Sequence, residues 1–148
     1  IHNLTLSIGL GTFRPIESQK IEDHSIHSEE YFISSETRDA LCKGNSKRLA
    51  IGTTSVRAIE HFFSNKKHWN KEDTPTETNL FIVPPYNFKG VDHLLTNFHL
   101  PKSTLLCLVA AFLTPKEITG LSLLKKLYAE AVSKKYRFFS YGDAMLIL

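Results

Sequence analysis

Between Thr96 and Leu106 the chain reads Thr96-Asn97-Phe98-His99-Leu100-Pro101-Lys102-Ser103-Thr104-Leu105-Leu106, setting four hydrogen-bonding side chains, a histidine and a lysine against an apolar run. Residues 105–113 are apolar on every face, the pattern of a helix buried all round. Ser103 or Thr104 suits its N-cap, and Pro101 suits the non-helical entry. Capping accounts for one or two of these polar residues, but not for Asn97, His99 and Lys102 together. The free N–H groups and the positive dipole end of such a helix start favour an anion or a polar ligand.

Three further stretches carry groups able to do chemistry. Gly52-Thr53-Thr54-Ser55 has the composition of a strand-to-helix turn that presents backbone N–H groups to a phosphate or carboxylate, although a plain capped helix uses the same residues. It lacks the lysine and spacing of a nucleoside-triphosphate loop. Arg57 falls in the first turn, near the positive end of the dipole, and so calls for a partner, either an internal carboxylate or a bound anion. His24, His27 and Glu29, with Glu22 and Asp23 before them, match no zinc spacing, and no metal is expected there. As acid–base equipment they are more credible, since a histidine beside carboxylates titrates near neutrality; a solvated loop would read the same way. In Tyr141-Gly142-Asp143, the glycine allows a tight turn or the close approach of a ligand. Asp143 can accept bonds from ribose hydroxyls or a nucleobase, or cap a local turn. Phe138, Phe139 and Tyr141 suit core packing or stacking on a base.

These groups hang on an alternation of strands and helices, which argues for an α/β layer architecture. Residues 4–8 alternate as a half-buried strand closed by Gly9 and Gly11. Residues 14–35 are polar and irregular, with Tyr31-Phe32-Ile33 a short strand or helix start. Residues 48–51 form a strand, and a helix follows to about Ser64 with Val56, Ile59 and Phe63 as its apolar stripe. Residues 64–78 read as a surface loop, and Leu80-Phe81-Ile82-Val83 as a buried strand stopped by two prolines. Leu121, Leu124, Tyr128 and Ala131 mark an amphipathic helix ending near Lys135, and residues 145–148 a terminal strand. Two polar helix starts that each follow a strand open on one sheet edge, so His99, the helix start after Pro101, Arg57 and the 52–55 turn are expected to face one pocket.

Size and composition fit one domain with a real core: 148 residues, 42% of them hydrophobic. Cys42 and Cys107 form no close-spaced pair, a reduced-thiol pattern of cytoplasmic origin rather than a disulfide framework. The longest apolar run is too short to span a bilayer and no signal peptide opens the chain, so neither a membrane nor targeting is expected. The net charge of +3 is uneven: residues 1–40 carry −4, residues 41–100 carry +3, and residues 101–148 carry +4. Lys125, Lys126, Lys134, Lys135 and Arg137 supply most of the last excess. Such lysines are usually a solvated helix face.

Five ordered stretches resemble the S-adenosylmethionine:tRNA ribosyltransferase-isomerase family of queuosine synthesis. They are Gly9-Leu10-Gly11-Thr12-Phe13-Arg14-Pro15; His27-Ser28-Glu29 with Tyr31; Ile51-Gly52-Thr53-Thr54-Ser55-Val56-Arg57; the Thr96–Leu106 stretch; and Tyr136-Arg137-Phe138-Phe139-Ser140-Tyr141-Gly142-Asp143-Ala144-Met145-Leu146-Ile147. Pro84-Pro85-Tyr86 departs from an expected Pro-Gly-Tyr, which removes a donor in that loop. Family members are more than twice as long, so residues 1–148 resemble the C-terminal portion of one barrel-like α/β catalytic domain, without its N-terminal half and its inserted β-barrel domain.

The resemblance implies transfer and isomerisation of the ribosyl group of S-adenosylmethionine onto 7-aminomethyl-7-deazaguanine at the tRNA wobble position, giving epoxyqueuosine-tRNA, adenine and methionine. S-adenosylmethionine is then a ribosyl-donating cosubstrate, and tRNA carrying 7-aminomethyl-7-deazaguanine the partner, joined by a separate N-terminal half where the chain is one half of a split enzyme. His27, Glu29, His99 and Asp143 are the catalytic candidates, with Asp92 a weaker fifth. Thr53, Thr54, Ser55, Arg57, Asn97, Lys102, Ser103 and Thr104 are candidates for cosubstrate binding, and the basic set 125, 126, 134, 135 and 137 for tRNA phosphates. The matched stretches supply one wall of a site, so the chain alone is expected to be inactive. The rival readings are a catalytically empty tRNA-binding remnant and one half of a split enzyme.

Overall fold

The computed structural model describes residues 1–9, 15–18, 20–43, 46–65 and 73–148, the side chain of Glu22 excepted. Residues 10–14 of the first family-like stretch and residues 66–72 of the expected surface loop lie outside them. The described strands form two sheets of three strands each. In the first, β1 (Leu4–Ser7), β2 (Glu29–Ile33) and β4 (Thr76–Thr78) run antiparallel in the order β1-β2-β4. Leu4 pairs with Ile33, and Tyr31 with Thr76. In the second, β3 (Leu49–Ile51) and β5 (His93–Asn97) run parallel, and β6 (Ala144–Ile147) lies antiparallel on the other side of β5.

The helices α1 (Ser35–Lys43), α2 (Thr53–Ser64), α3 (Thr104–Leu113) and α4 (Gly120–Ser133) complete the alternation. One flank of α2 puts Val56 and Ile59 against Ala50, Leu94, Leu108 and Phe112, while Ala58 and Phe62 pack on Tyr31 and Ile33 of β2. Two apolar flanks let α2 join both sheets, a wider apolar surface than the stripe of Val56, Ile59 and Phe63 implies. Leu108, Val109, Ala110, Ala111 and Phe112 of α3 are buried, in line with its all-apolar sequence. Its contact with α4 is close: a Cβ on Gly120 would lie 1.9 Å from the Ala110 carbonyl oxygen, which only glycine avoids. Leu124, Tyr128 and Ala131 form the inner stripe of α4, but Leu121 is exposed.

Two expectations change, one pair of alternatives is decided, and one helix is added. Residues 80–83 pair with no strand among the described residues, although Ile82 is buried. Pro84 and Pro85 lack donors, and neighbouring backbone groups are satisfied by side chains instead: Leu80 N–H donates to Thr78 Oγ1 and the Leu80 carbonyl accepts from Arg57 Nε. Within the expected 64–78 loop, residues 76–78 form an edge strand on β2. Tyr31-Phe32-Ile33 is strand, not helix start. The helix α1 has only Thr37 buried and so almost no apolar stripe to read; Ser34 Oγ accepts from Thr37 N–H at its start. Among the described residues, no helix is long and apolar enough to cross a membrane.

Candidate functional site

Both polar helix starts sit at the carboxyl edge of the parallel β3/β5 pair. Gly52, in the left-handed region at φ +88°, turns the chain out of β3, and its N–H bonds the Leu95 carbonyl at 2.8 Å. Past β5, the chain turns through Pro101 and Lys102 and enters α3. Ser103 is the cap: its hydroxyl donates to the Leu100 carbonyl at 2.8 Å and accepts from Leu106 N–H at 3.3 Å.

A cavity of about 140 Å³ opens beside this second turn, lined by Asn97, Phe98, His99, Leu100, Ser103, Leu105, Phe139 and Ser140. Its far side comes from the loop before β6, fixed by Phe139 N–H donating to the Phe98 carbonyl and by Asn97 Nδ2 donating to the Asp143 carbonyl. His99 is half-buried, with Nε2 2.9 Å from Thr96 Oγ1, and its backbone N–H donates to the Tyr128 hydroxyl at 2.9 Å. Loss of solvent pulls its pKa from 6.5 to about 4, so the imidazole is neutral at pH 7. Thr104 is buried, and its Oγ1 has no hydrogen-bond partner among the described residues.

Arg57 takes the internal partner. Its guanidinium forms a buried ion pair with Glu29, and Nε donates to the Leu80 carbonyl. Glu29 Oε1 also accepts from Gly9 N–H at 3.3 Å. Among the described residues, Arg57 and Thr53, Thr54 and Ser55 do not line the His99 cavity. Thr53 is buried, and Ser55 Oγ turns back to the Ile51 carbonyl at 2.8 Å.

His27 is exposed and lines a separate polar depression of about 530 Å³ with Pro15, Glu17, Ser18, Asp23, His24 and Ser25. That segment is tied to the α3 entry by Ile16 N–H donating to the Lys102 carbonyl. Lys102 itself is exposed, with φ 58°. Asp92 lies at the opposite, amino end of β5, where its carboxylate accepts from Arg48 N–H, so it is removed from the site.

Asp143 pairs with Arg137 at 2.8 Å and also accepts the Arg137 N–H, which holds its carboxyl below the usual range. Gly142 serves the tight turn, since a Cβ there would lie 2.5 Å from the Arg137 carbonyl. Lys125 and Lys126 are exposed on α4; Lys134 and Lys135 follow its end, with Lys134 paired to Glu130 at 2.6 Å. Thus Arg137 and Asp143, expected to serve RNA and catalysis separately, bond each other.

Three residues, Tyr128, Phe98 and Glu60, escaped the sequence reading of the site. Tyr128 reaches His99 from 29 residues away with no local signal. Phe98 and Phe139 line the cavity; the alternation around residues 138–141 was the only hint for Phe139. Glu60, fully buried on α2, accepts N–H bonds from Lys89 and Gly90 and so fixes the approach to β5; burial raises its pKa.

A family model described as a queuosine biosynthesis protein matches residues 1–147. The chain belongs to this family. Among curated members of the queuosine biosynthesis family, the S-adenosylmethionine:tRNA ribosyltransferase-isomerase of a Nitratiruptor species is 48% identical over 147 residues, 99% of this chain and 39% of the relative. That of Symbiobacterium thermophilum is 48% identical over 153 residues, 100% of this chain and 42% of the relative. The crystal structure of the S-adenosylmethionine tRNA ribosyltransferase from Thermotoga maritima superposes with a TM-score of 0.65 at 45% identity, covering 81% of this chain and 40% of that one. The chain thus spans about two fifths of the length of the curated relatives it matches. The family is one of enzymes, and four of the family-like stretches of this chain meet in two contacts: β5 with β6 around the cavity, and Glu29 with Arg57 beneath α2.

Proposed function

We propose that the chain supplies one wall of the active site of an S-adenosylmethionine:tRNA ribosyltransferase-isomerase, the C-terminal portion of a barrel-like α/β catalytic domain. The reaction is transfer and isomerisation of the ribosyl group of S-adenosylmethionine onto 7-aminomethyl-7-deazaguanine in the tRNA wobble position. It releases adenine and methionine and leaves epoxyqueuosine-tRNA, work done in the cytoplasm. The observation that carries this reading is the His99 cavity at the α3 start, built from two of the family's own stretches.

The chemistry needs a base for the carbon beside the sulfonium, a proton donor for departing adenine, and an uncharged amine as nucleophile. His99, neutral at pH 7 and hydrogen-bonded to Thr96, is in the form that accepts a proton and suits the base, not the donor to adenine. Asp143, held charged by Arg137, acts by charge or hydrogen bonding instead. Ser103, Asn97 and the free N–H groups of α3 are placed for polar ligand groups. Lys125, Lys126, Lys134, Lys135 and Arg137 meet RNA phosphates. A cavity of about 140 Å³ is close to one that takes a single benzene ring and well under the usual size of a ligand site. It holds one ring of a substrate, and the rest of the site comes from polypeptide beyond these residues.

The test is adenine release from S-adenosylmethionine and precursor tRNA. The 148-residue chain alone should give none, because lost positioning can forfeit roughly 7–11 kcal/mol of the advantage. Together with the remaining portion of a relative it should turn over, and His99→Ala should slow that turnover about 100-fold or more. Multiple turnover by the chain alone, or full activity of His99→Ala, would overturn the reading. The internal pairing of Arg57 and Asp143, a cosubstrate and a catalytic candidate, favours one second reading, a tRNA-binding remnant without chemistry. A tRNA gel shift that persists without any adenine release from the combined portions would select it.

A further inference from the structure

The β3-β5-β6 sheet has two unlike faces. Ala50, Leu94, Met145 and Ile147 point into the core built by α2, α3 and α4. The pairing register puts Leu49 and Ile51 of β3, Leu95 of β5 and Leu146 of β6 on the other face, with Ile51 beside Leu95 and Leu95 beside Leu146. That apolar row is open: Ile51 is 68% exposed, Leu146 52% and Leu49 51%. A half-solvated antiparallel sheet carries polar residues on its outer face, whereas this face is apolar along all three strands, and a contiguous exposed apolar patch marks an interaction surface.

We propose that this bare face is the docking surface for the portion of polypeptide that the curated relatives carry beyond the match, and that covering it builds the second wall beside Asn97. The matched relatives extend far enough to supply a layer, since this chain accounts for only 39% and 42% of their lengths. Asn97 lies on the same face two positions past Leu95, and it lines the cavity with His99. A layer packed on Ile51, Leu95 and Leu146 therefore ends at the cavity. Its own core is this apolar row, the composition expected at the centre of an obligate contact. The docking itself does not rest on which ligand the cavity takes.

The test is co-expression of the tagged 148-residue chain with the unmatched portion of the Nitratiruptor relative, followed by affinity capture and light scattering. A one-to-one complex is expected. Ile51→Glu should reduce the captured partner at least tenfold, and the milder Ile51→Ser should reduce it less. Leu123→Glu, on the outer side of α4, should leave it unchanged. Circular dichroism and thermal melts of each variant alone establish that the chain is folded; an outward side chain that is 68% exposed tolerates the change. No complex with the unaltered chain, or undiminished capture by folded Ile51→Glu, overturns the proposal. So does a chain that is dimeric by itself through an Ile51-dependent contact, which would assign the face to a second copy. Because the readout is complex formation and not adenine release, an inactive complex would refute the catalytic reading and leave the docking face standing.

Discussion

The starts of α2 and α3 occupy the same sheet edge and are written in similar residues, yet one is closed and the other open. At α2, Arg57 turns beneath the helix to Glu29, and Ser55 turns back to the Ile51 carbonyl. At α3, a longer connection runs from Asn97 to Ser103, the cap closes on Leu100 and Leu106, and a cavity remains beside His99. The difference comes from what lies across from each turn. β2 brings a carboxylate under α2, whereas the loop before β6 brings Phe139 and Ser140 alongside α3 without filling the gap. Polar residues at a helix start thus mark a ligand site only when no neighbouring strand offers them an internal partner.

The largest effect should follow from breaking the closed end. Arg57→Ala leaves the Glu29 carboxylate buried without its cation and should destabilise the chain by about 3–5 kcal/mol in urea unfolding. Lys102→Ala, an exposed cation at the open end, should change stability by less than about 0.5 kcal/mol. Arg57→Met combined with Glu29→Leu should recover most of the loss, because the desolvation penalty disappears along with the attraction. Equal effects of Arg57→Ala and Lys102→Ala would erase the distinction between the two ends.

A pH series separates them next. Well above pH 6.5 His99 is neutral in both the folded and unfolded chain and contributes no pH dependence. As pH falls from 6.5 to about 4, the unfolded chain takes up a proton that the folded chain refuses, so stability drops, by up to roughly 3 kcal/mol from this group. His99→Gln should shrink the fall in stability between about pH 7 and about pH 4.5 relative to the unaltered chain. An identical fall in both would mean that His99 is solvated and that the cavity does not isolate it.

Much of this arrangement was legible because it is local. The strand-turn-helix at residues 49–64 follows from an apolar run, Gly52 and a 3.6-residue stripe, and the α3 cap follows from serine before an apolar run. The placement of both helix starts on one edge followed from topology. What could not be read was the direction of individual side chains and any contact made at long sequence separation. Glu29 meets Arg57 across 28 residues and Tyr128 meets His99 across 29, and neither pairing has a spacing signal. Residues 80–83 misled for a different reason: an apolar run before prolines reads as a buried strand, but its neighbouring backbone groups are bonded by Thr78 and Arg57 side chains in place of a ladder. The helix α1 was missed because it buries so little that it has almost no apolar period.

The smallest expected effects sharpen the contrast between two serines at the two helix starts. Ser103 satisfies an orphan N–H of α3 and anchors the turn through the Leu100 carbonyl, so Ser103→Ala loses a true cap and should cost about 1 kcal/mol. Ser55 lies inside α2, and its hydroxyl returns to a carbonyl one turn back, a bond that adds little and slightly bends a helix. Ser55→Ala should therefore lie within about 0.5 kcal/mol of the unaltered chain. Because Ser103 also lines the cavity, its loss should weaken catalysis in the combined enzyme beyond its stability effect, while Ser55→Ala leaves turnover intact. Urea unfolding and adenine release of the two variants, measured side by side, make the check. If Ser55→Ala lowered turnover and Ser103→Ala did not, the ligand would belong at the start of α2, and the assignment of open and closed ends would have to be reversed.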